Sequence, residues 1–197
     1  SISPVVKDGN GKVISVSMHK LAGLNPENDG FSEIEELLVA YESWINNLED
    51  YDARSSVPVP EEQRETAASL IGKCRVCLDR IRDGLSFLRR NEEVSRQARK
   101  AFKLANHAMY IVQLRNNLGK RRRSYNQSDL RYEWDIYYPE IDMLTEVEER
   151  GYWRPFQIAF LLQTIRGICE PSDESRNIVD LIWFPTGGGK TEAYLAL

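Results

Sequence analysis

The sequence predicts a mainly α-helical protein in which residues 177–197 form a strand, a glycine-rich loop and a helix. Three long segments between residues 32 and 118 repeat their apolar residues at the helical period of about 3.6 residues. Further along, the apolar run NIVDLIWF is followed by three consecutive glycines and by KTEAYLAL, which has the composition of a helix. The 197 residues, 42% hydrophobic and 28% charged, suffice for one or two ordinary hydrophobic cores.

Residues 1–30 form an N-terminal segment in which we predict a short hairpin. The turn sequence DGNGK at positions 8–12 separates two β-prone runs, SPVV and VISVSM. This segment lacks the apolar core of a signal peptide, and the sequence holds no apolar run near the roughly 20 residues that span a bilayer. We therefore expect a cytoplasmic protein without a membrane partner.

Residues 31–135 are predicted to form a helical accessory domain built as a bundle of three helices. The first begins at Ser32, which forms a capping box with Glu35. The second begins at Pro60 and continues to residue 88. The third runs from Glu92 to Leu118, where Gly119 ends it. Because each helix has an apolar stripe, the three can bury one another.

The residues of each stripe follow from the helical period. The first stripe contains Ile34, Leu37, Leu38, Tyr41, Trp44, Ile45 and Leu48. The second contains Ala67, Leu70, Ile71, Cys74, Cys77, Leu78, Ile81, Leu85 and Leu88. The third contains Val94, Ala98, Ala101, Phe102, Ala105, Ala108, Met109 and Val112. Since Cys74 and Cys77 fall on the second stripe, we interpret the CRVC pair as core side chains rather than zinc ligands.

The charge distribution predicts a nucleic-acid contact. The net charge of −4 argues against a general nucleic-acid binder, yet residues 94–128 contain nine Lys or Arg residues and no Asp or Glu. The densest part of this segment is Lys120, Arg121, Arg122 and Arg123. A basic run of this kind is most often a solvated loop. An ordinary solvated surface mixes both signs, however, so the segregation favours a patch that faces DNA phosphates.

The region before the glycine loop is predicted to contain two further helices. The aromatic stretch LRYEWDIYYPEID at 130–142 fits no element, and residues 139–150 have the composition of a short acidic helix. Residues 153–168 form a strongly apolar helix that opens with Pro155. A polar linker then leads to a buried parallel strand at 177–184.

The glycine loop has the residues that nucleotide phosphates require. The backbone N–H groups of Gly187, Gly188 and Gly189 can surround an anion, and Lys190 can reach the β and γ phosphates. The Thr191 hydroxyl can ligate Mg²⁺. We therefore predict ATP and Mg²⁺ as cofactors, with Lys190 and Thr191 as the catalytic pair. The alternative is a chance glycine-rich turn before a helix.

PTGGGKTE, residues 185–192, resembles motif I of superfamily 2 helicases and translocases. The general phosphate-loop pattern has a glycine five residues before Gly189, where this sequence has Phe184. In superfamily 2 that leading glycine is commonly replaced. The resemblance implies that Thr186 joins Gly187–Thr191 in contacting the nucleotide.

The phrase Arg154-Pro155-Phe156-Gln157 looks like the R-P-x-Q phrase upstream of motif I in many superfamily 2 enzymes. There the glutamine reads the adenine edge, because a side-chain amide offers both a donor and an acceptor. The resemblance implies that Gln157 and Arg154 are nucleotide-contacting residues. The alternative is a surface glutamine at a helix start.

Together with the helical part, these motifs resemble the N-terminal portion of the large helicase of DISARM, a bacterial anti-phage defence system. The likeness is carried by residues 101–115, 151–165 and 180–195. It implies that residues 136–197 begin a RecA-like α/β ATPase lobe, truncated after its first helix, strand and loop. It also implies an ATP-dependent DNA helicase or translocase that acts with other subunits of a defence complex.

A motor of this class needs a D-E-x-x motif downstream of the loop to hold Mg²⁺ and polarise the attacking water. None follows Lys190, and the Asp173-Glu174 pair lies before the loop. We therefore expect a fragment that hydrolyses no ATP by itself. Two alternatives stay open: a helical protein- or DNA-binding module with an inert loop, and a nucleotide-dependent switch that does not translocate.

Overall fold

The computed structural model describes residues 5–51, 58–116, 118–140, 142–143, 145, 147, 150–182 and 189–197. These residues are mainly helical, which confirms that part of the predicted fold class. Side chains from the helices and from residues 14–18 share one hydrophobic core. Among the described residues, no helix combines the length and the apolarity needed to cross a membrane.

The helices are α1 (Met18–Leu21), α2 (Phe31–Glu49), α3 (Arg64–Arg89), α4 (Glu93–Arg115), α5 (Pro155–Cys169) and α6 (Lys190–Leu195). Short 3-10 turns occupy Glu61–Gln63 and Glu174–Asn177. The strands are β1 (Val16–Ser17), β2 (Arg123–Asn126), β3 (Arg131–Trp134) and β4 (Tyr152–Trp153). They pair as two antiparallel sheets, β1 with β4 and β2 with β3. At the predicted N-terminal turn, Lys7 and Val13 form an antiparallel bridge.

Helices α2 and α3 lie antiparallel and are joined along one seam by arginine–carboxylate contacts. Arg75 binds Glu49 at 2.7 Å, Arg82 binds Glu42 at 2.7 Å, and Arg89 binds Glu35 at 2.5 Å. The arginines are spaced seven residues apart, so they occupy the same face of α3. The order of their partners, descending along α2, establishes the antiparallel arrangement.

Helix α5 packs against α3 at unusually close range. A Cβ atom placed on Gly84 of α3 would lie 1.9 Å from the carbonyl oxygen of Leu162 in α5. Beside this contact, Arg166 of α5 binds Asp83 at 2.8 Å and Asp173 at 2.8 Å. The Ser175 hydrogen bonds, together with Arg166, hold the pKa of the Asp173 carboxyl below its usual value. Glycine at position 84 therefore sets the separation of the two helices.

A buried polar contact joins α4 to β4. Trp153 is 4% exposed and donates its indole N–H to Asn106 Oδ1 at 2.7 Å, while Asn106 Nδ2 donates to the Phe102 carbonyl at 2.7 Å. Nearby, Gly151 has a φ of +82°, and a Cβ there would lie 2.3 Å from the Tyr110 ring. These contacts fix the strand that leads directly into α5.

The buried face of helix α4 differs from the predicted third apolar stripe. Its buried residues are Ser95, Ala98, Phe102, Asn106, Met109 and Tyr110. The predicted stripe members Val94 and Val112 are 44% and 50% exposed, and Ala101 and Ala108 are exposed as well. The prediction considered only apolar residues, whereas the buried face includes two polar residues, Ser95 and Asn106, and Asn106 makes its hydrogen bonds inside the protein. Trp44 of the first stripe and Leu70 of the second are exposed as well.

The start of α2 also differs from the prediction. Its N-cap is Gly30, with a φ of +77°, and no side-chain capping bond of the Ser32–Glu35 kind is present there. Instead, Asp29 Oδ1 accepts a hydrogen bond from the Phe31 backbone N–H at 3.0 Å. The helix therefore begins one residue earlier, because an aspartate and a glycine already terminate the preceding turn.

Two predicted elements near the glycine loop are wrong. The described part of residues 177–184 contains no strand: Asn177 lies in a 3-10 turn, and Val179 and Leu181 are 94% and 85% exposed. A parallel strand requires a neighbouring strand for its hydrogen bonds, and the described residues pair only in antiparallel sheets. The described part of residues 139–150 is not helical either. The predicted helix at 153–168 forms as α5, but Trp153 belongs to β4.

Candidate functional site

The two segments predicted to contact a nucleotide meet in the structure. Gln157, in the first turn of α5, donates from Nε2 to the carbonyl oxygen of Gly189 at 2.7 Å. The same Nε2 lies 3.3 Å from Glu192 Oε2. Residues 32 positions apart in the sequence are thus joined at one point, where α6 begins.

The start of α5 holds the Gln157 side chain in place. Arg154 is the N-cap residue and Pro155 the first helical residue, where a missing N–H costs nothing. Gln157 Oε1 then accepts a hydrogen bond from the Arg154 backbone N–H at 2.9 Å. Because Gln157 is only 2% exposed, it is not the surface residue of the alternative interpretation.

Gly189 is required at the start of α6 for two independent reasons. Its φ of +84° lies in the left-handed region that other residues rarely adopt. In addition, a Cβ atom would lie 2.6 Å from Glu192 Oε2 and 2.8 Å from Gln157 Nε2. The glycine therefore allows the backbone to approach the Gln157 amide.

Lys190 and Thr191 are the first two residues of α6, and Thr191 is exposed while Lys190 is half-buried. The helix contacts α5 through an edge-to-face pair of Tyr194 with Phe160, with ring centroids 5.5 Å apart, and its Ala193 is buried. The amine and hydroxyl thus belong to a helix that begins beside the α5 N-terminus. Thr186, Gly187 and Gly188 fall outside the described residues, as do Phe184 and Pro185.

The hydrogen bonds of Gln157 limit how it can contact a base. Both polar atoms already have protein partners, and Oε1 retains one further lone pair. Reading both a donor and an acceptor of adenine would require Nε2 to exchange one of its protein partners for the base. The adenine-reading role of Gln157 and the nucleotide contact of Arg154 stay predictions.

Two contacts near this site were not predicted from the sequence. Glu192 directly follows the Lys-Thr pair and reaches Gln157, a contact that its position in PTGGGKTE could have suggested. Arg80 of α3 forms a bidentate pair with Asp180, at 2.5 and 2.7 Å, and anchors the segment that precedes the loop. No local pattern indicates a pair separated by 100 residues.

The predicted DNA contact lies in a different part of the molecule. Lys120, Arg121 and Arg122 lead into β2, and Arg123 is its first residue, so the basic run belongs to a hairpin. Arg121 lies 4.2 Å from the ring centroid of Trp134, and Arg123 lies 4.0 Å from that of Tyr132. Lys120, Arg121 and Arg122 are exposed and precede the strand, so the solvated-loop interpretation and the DNA contact both stay open.

Cys74 and Cys77 are half-buried in α3, next to Tyr41 of α2. Burial raises the pKa of the Cys77 thiol and of the Tyr41 hydroxyl above their usual values. Within the described ranges, no three His, Cys, Asp or Glu side chains cluster as metal ligands would. The two cysteines act there as partly apolar contacts between helices.

The described residues thus define a mainly helical protein in which a buried glutamine contacts the end of a glycine-rich segment. Over 182 residues, the chain is 34% identical to DISARM protein DrmA of Bacillus paralicheniformis. The match covers 92% of this chain and 14% of that protein, so the chain corresponds to a small part of its relative. The predicted resemblance to a DISARM protein is confirmed. No family model matches the chain.

Proposed function

We propose that this chain is part of an ATP-driven DNA helicase or translocase that acts in anti-phage defence with other subunits of a DISARM-type complex. The similarity to DrmA supports the defence role. The contact between Gln157 and Gly189 supports the nucleotide site, because it joins the two segments whose motifs resemble those of superfamily 2 enzymes.

Each residue of the site has a role that its chemistry suits. Lys190 places a positive charge at the β and γ phosphates of ATP, and the Thr191 hydroxyl is a ligand of Mg²⁺. Gly187–Gly189 present backbone N–H groups to the phosphates. Gln157 contacts the adenine edge and Arg154 lies beside it, 3.5 Å from the point where a Gly189 Cβ would be. Gln157 would then link the base to the loop.

Replacing Gln157 with alanine in the full-length protein is expected to weaken ADP binding about tenfold, the value of one or two hydrogen bonds, and to change GDP binding little. The reason is that only the adenine edge matches the glutamine amide. Competition of each nucleotide against a fluorescent ADP analogue measures both affinities. Gln163→Ala, on the same helix, is the matched control. Equal losses for ADP and GDP would show that Gln157 acts only by holding Gly189.

Replacing Lys120, Arg121, Arg122 and Arg123 with serine is expected to weaken DNA binding by the full-length protein and to leave its folding intact. Each phosphate that is no longer neutralised should reduce the slope of log affinity against log salt by about 0.9, so we expect a decrease of roughly two to four units. Fluorescence anisotropy at several salt concentrations measures affinity and slope together. A variant with Lys7, Lys12, Arg64 and Lys73 replaced by serine removes the same number of exposed charges outside residues 94–128 and controls for the removal of charge alone. Unchanged affinity and slope in the serine variant would remove the cluster from the DNA interface.

A second candidate function is a DNA-binding module in which the glycine loop is inert. The exposed arginines and aromatic rings of the β2–β3 hairpin favour it. Nucleotide binding separates the two: the module binds DNA but no ATP, whereas the motor binds both.

A further inference from the structure

The β2–β3 hairpin has two chemically different faces. In the antiparallel register, Arg123 is opposite Trp134 and Tyr125 is opposite Tyr132. Directly opposed residues and residues two apart share a face, so these four side chains lie on one side of the hairpin. Arg121 joins them, since its guanidinium lies 4.2 Å from the Trp134 ring centroid. We call this set of five residues the aromatic face.

The acidic residues of the hairpin are bound elsewhere. Glu133 and Asp129 pair with Arg131, at 3.2 and 3.5 Å, and Glu133 projects from the opposite face. Asp135 accepts a hydrogen bond from the Arg122 backbone N–H at 2.7 Å. None of these carboxylates is paired with Arg121 or Arg123 in the described part of the chain. The aromatic face thus carries two positive charges without a compensating acid on the same side.

The rings of the aromatic face are exposed although they are large and apolar. Tyr125 is 50% exposed, Tyr132 58% and Trp134 37%. Arg123 lies 4.0 Å from the Tyr132 centroid, and Arg121 lies 4.5 Å from that of Tyr138, whose hydroxyl bonds the Gly119 carbonyl at the base of the hairpin. In these cation–π contacts the guanidinium groups lie over the rings, so Arg123 covers one face of Tyr132 and Arg121 one face of Trp134, while the N–H edges of both arginines stay accessible. Flat rings are therefore presented next to fixed phosphate-binding groups.

We infer that the aromatic face binds single-stranded DNA, with bases stacking on Tyr125 and on the face of Tyr132 that Arg123 leaves open, and with phosphates contacting Arg121 and Arg123. The combination of positive charge with exposed aromatic rings is the one that single strands require, because unstacked bases offer their π-faces to rings. Duplex DNA hides those faces in its own stack and would meet the arginines alone. The inference rests on the proposed function for DNA as the substrate, and it adds preference for a single strand.

The test measures binding of the 197-residue chain, without nucleotide, to a fluorescein-labelled single strand of about 20 nucleotides, long enough for one such site, and to its duplex. The variant carries Tyr125→Thr and Tyr132→Thr, since threonine keeps the strand propensity and removes the rings. Tyr125→Phe with Tyr132→Phe keeps the rings and removes only the hydroxyls. Trp44→Ala removes a ring of similar exposure, 48%, from α2. Circular dichroism and thermal unfolding establish that all the variants fold.

We expect the threonine variant to bind the single strand about tenfold more weakly for each ring removed, within the range for a base stacked on an aromatic side chain, and to bind the duplex unchanged. The phenylalanine variant and Trp44→Ala should bind both as the parent chain does. Equal losses on single strand and duplex would overturn the stacking inference, as would unchanged single-strand binding. Tighter binding of an RNA strand of the same sequence would overturn the assignment to DNA. The nucleotide site is judged separately by ADP binding, so this inference can fail while the proposed function stands.

Discussion

Lys190→Ala in the full-length protein is expected to reduce ATP hydrolysis by about 100- to 1,000-fold, the cost of removing one well-placed electrostatic group from a reaction centre. Lys190 is the first residue of α6 and follows the glycine that contacts Gln157. In the proposed site its ammonium group faces the β and γ phosphates, where negative charge is redistributed during transfer. Steady-state phosphate release at saturating Mg²⁺-ATP measures the effect.

The control for this experiment is Lys73→Ala, which removes an exposed lysine from α3. It should hydrolyse ATP at the normal rate. Neither side chain belongs to the hydrophobic core, and thermal unfolding establishes that both variants remain folded. An unchanged rate in the Lys190 variant would show that residues 187–191 do not contact the phosphates, and the proposed function would fall.

Gly84→Ala is expected to reduce the free energy of unfolding by about 3 kcal/mol, at the upper end of the usual cost of overpacking. The added Cβ would lie 1.9 Å from the Leu162 carbonyl oxygen and 2.8 Å from its carbonyl carbon. These are backbone atoms of α5, so no side-chain rotation can relieve the overlap, and the two helices must move apart. Urea titration followed by circular dichroism measures the change.

Gly72→Ala is the matched control, since it makes the same substitution earlier in the same helix. A Cβ there meets no atom within 4 Å. Alanine should raise the free energy of unfolding by roughly 0.5–1 kcal/mol, because it loses less backbone entropy than glycine in a helix. If the two variants changed stability in the same direction, the close contact between α3 and α5 would be incorrect.

The helices were predictable because their signals are local. The apolar period identified α2, α3 and α5, and Pro155 marked the start of α5 within the first turn. Which face of each helix is buried was less predictable. Asn106 of α4, for example, is buried and accepts a hydrogen bond from Trp153, 47 residues away. The β2–β3 hairpin was missed because each strand has only four residues, which is too short for the alternation of charged and aromatic residues in RYEW to indicate a strand.

The candidate site was predictable as a set of residue types and not as a geometry. The motifs identified Gln157 and Gly189, but the hydrogen bond from Gln157 Nε2 to the Gly189 carbonyl oxygen is visible only in the structure. The strand predicted at 177–184 fails in its described part, because apolar composition alone cannot supply a pairing partner. Asp180, in that segment, instead binds Arg80.

Helix α3 contacts α2 on one side, and α5 and the segment before the glycine loop on another. Arg80, Asp83 and Gly84 meet Asp180, Arg166 and Leu162, whereas Arg75, Arg82 and Arg89 face α2 from another side. One continuous helix therefore contacts both α2 and the segment that leads to the glycine loop. Because the arginines that bind α2 and the arginine that binds Asp180 lie on the same helix, any displacement of α3 would disturb both sets of contacts together.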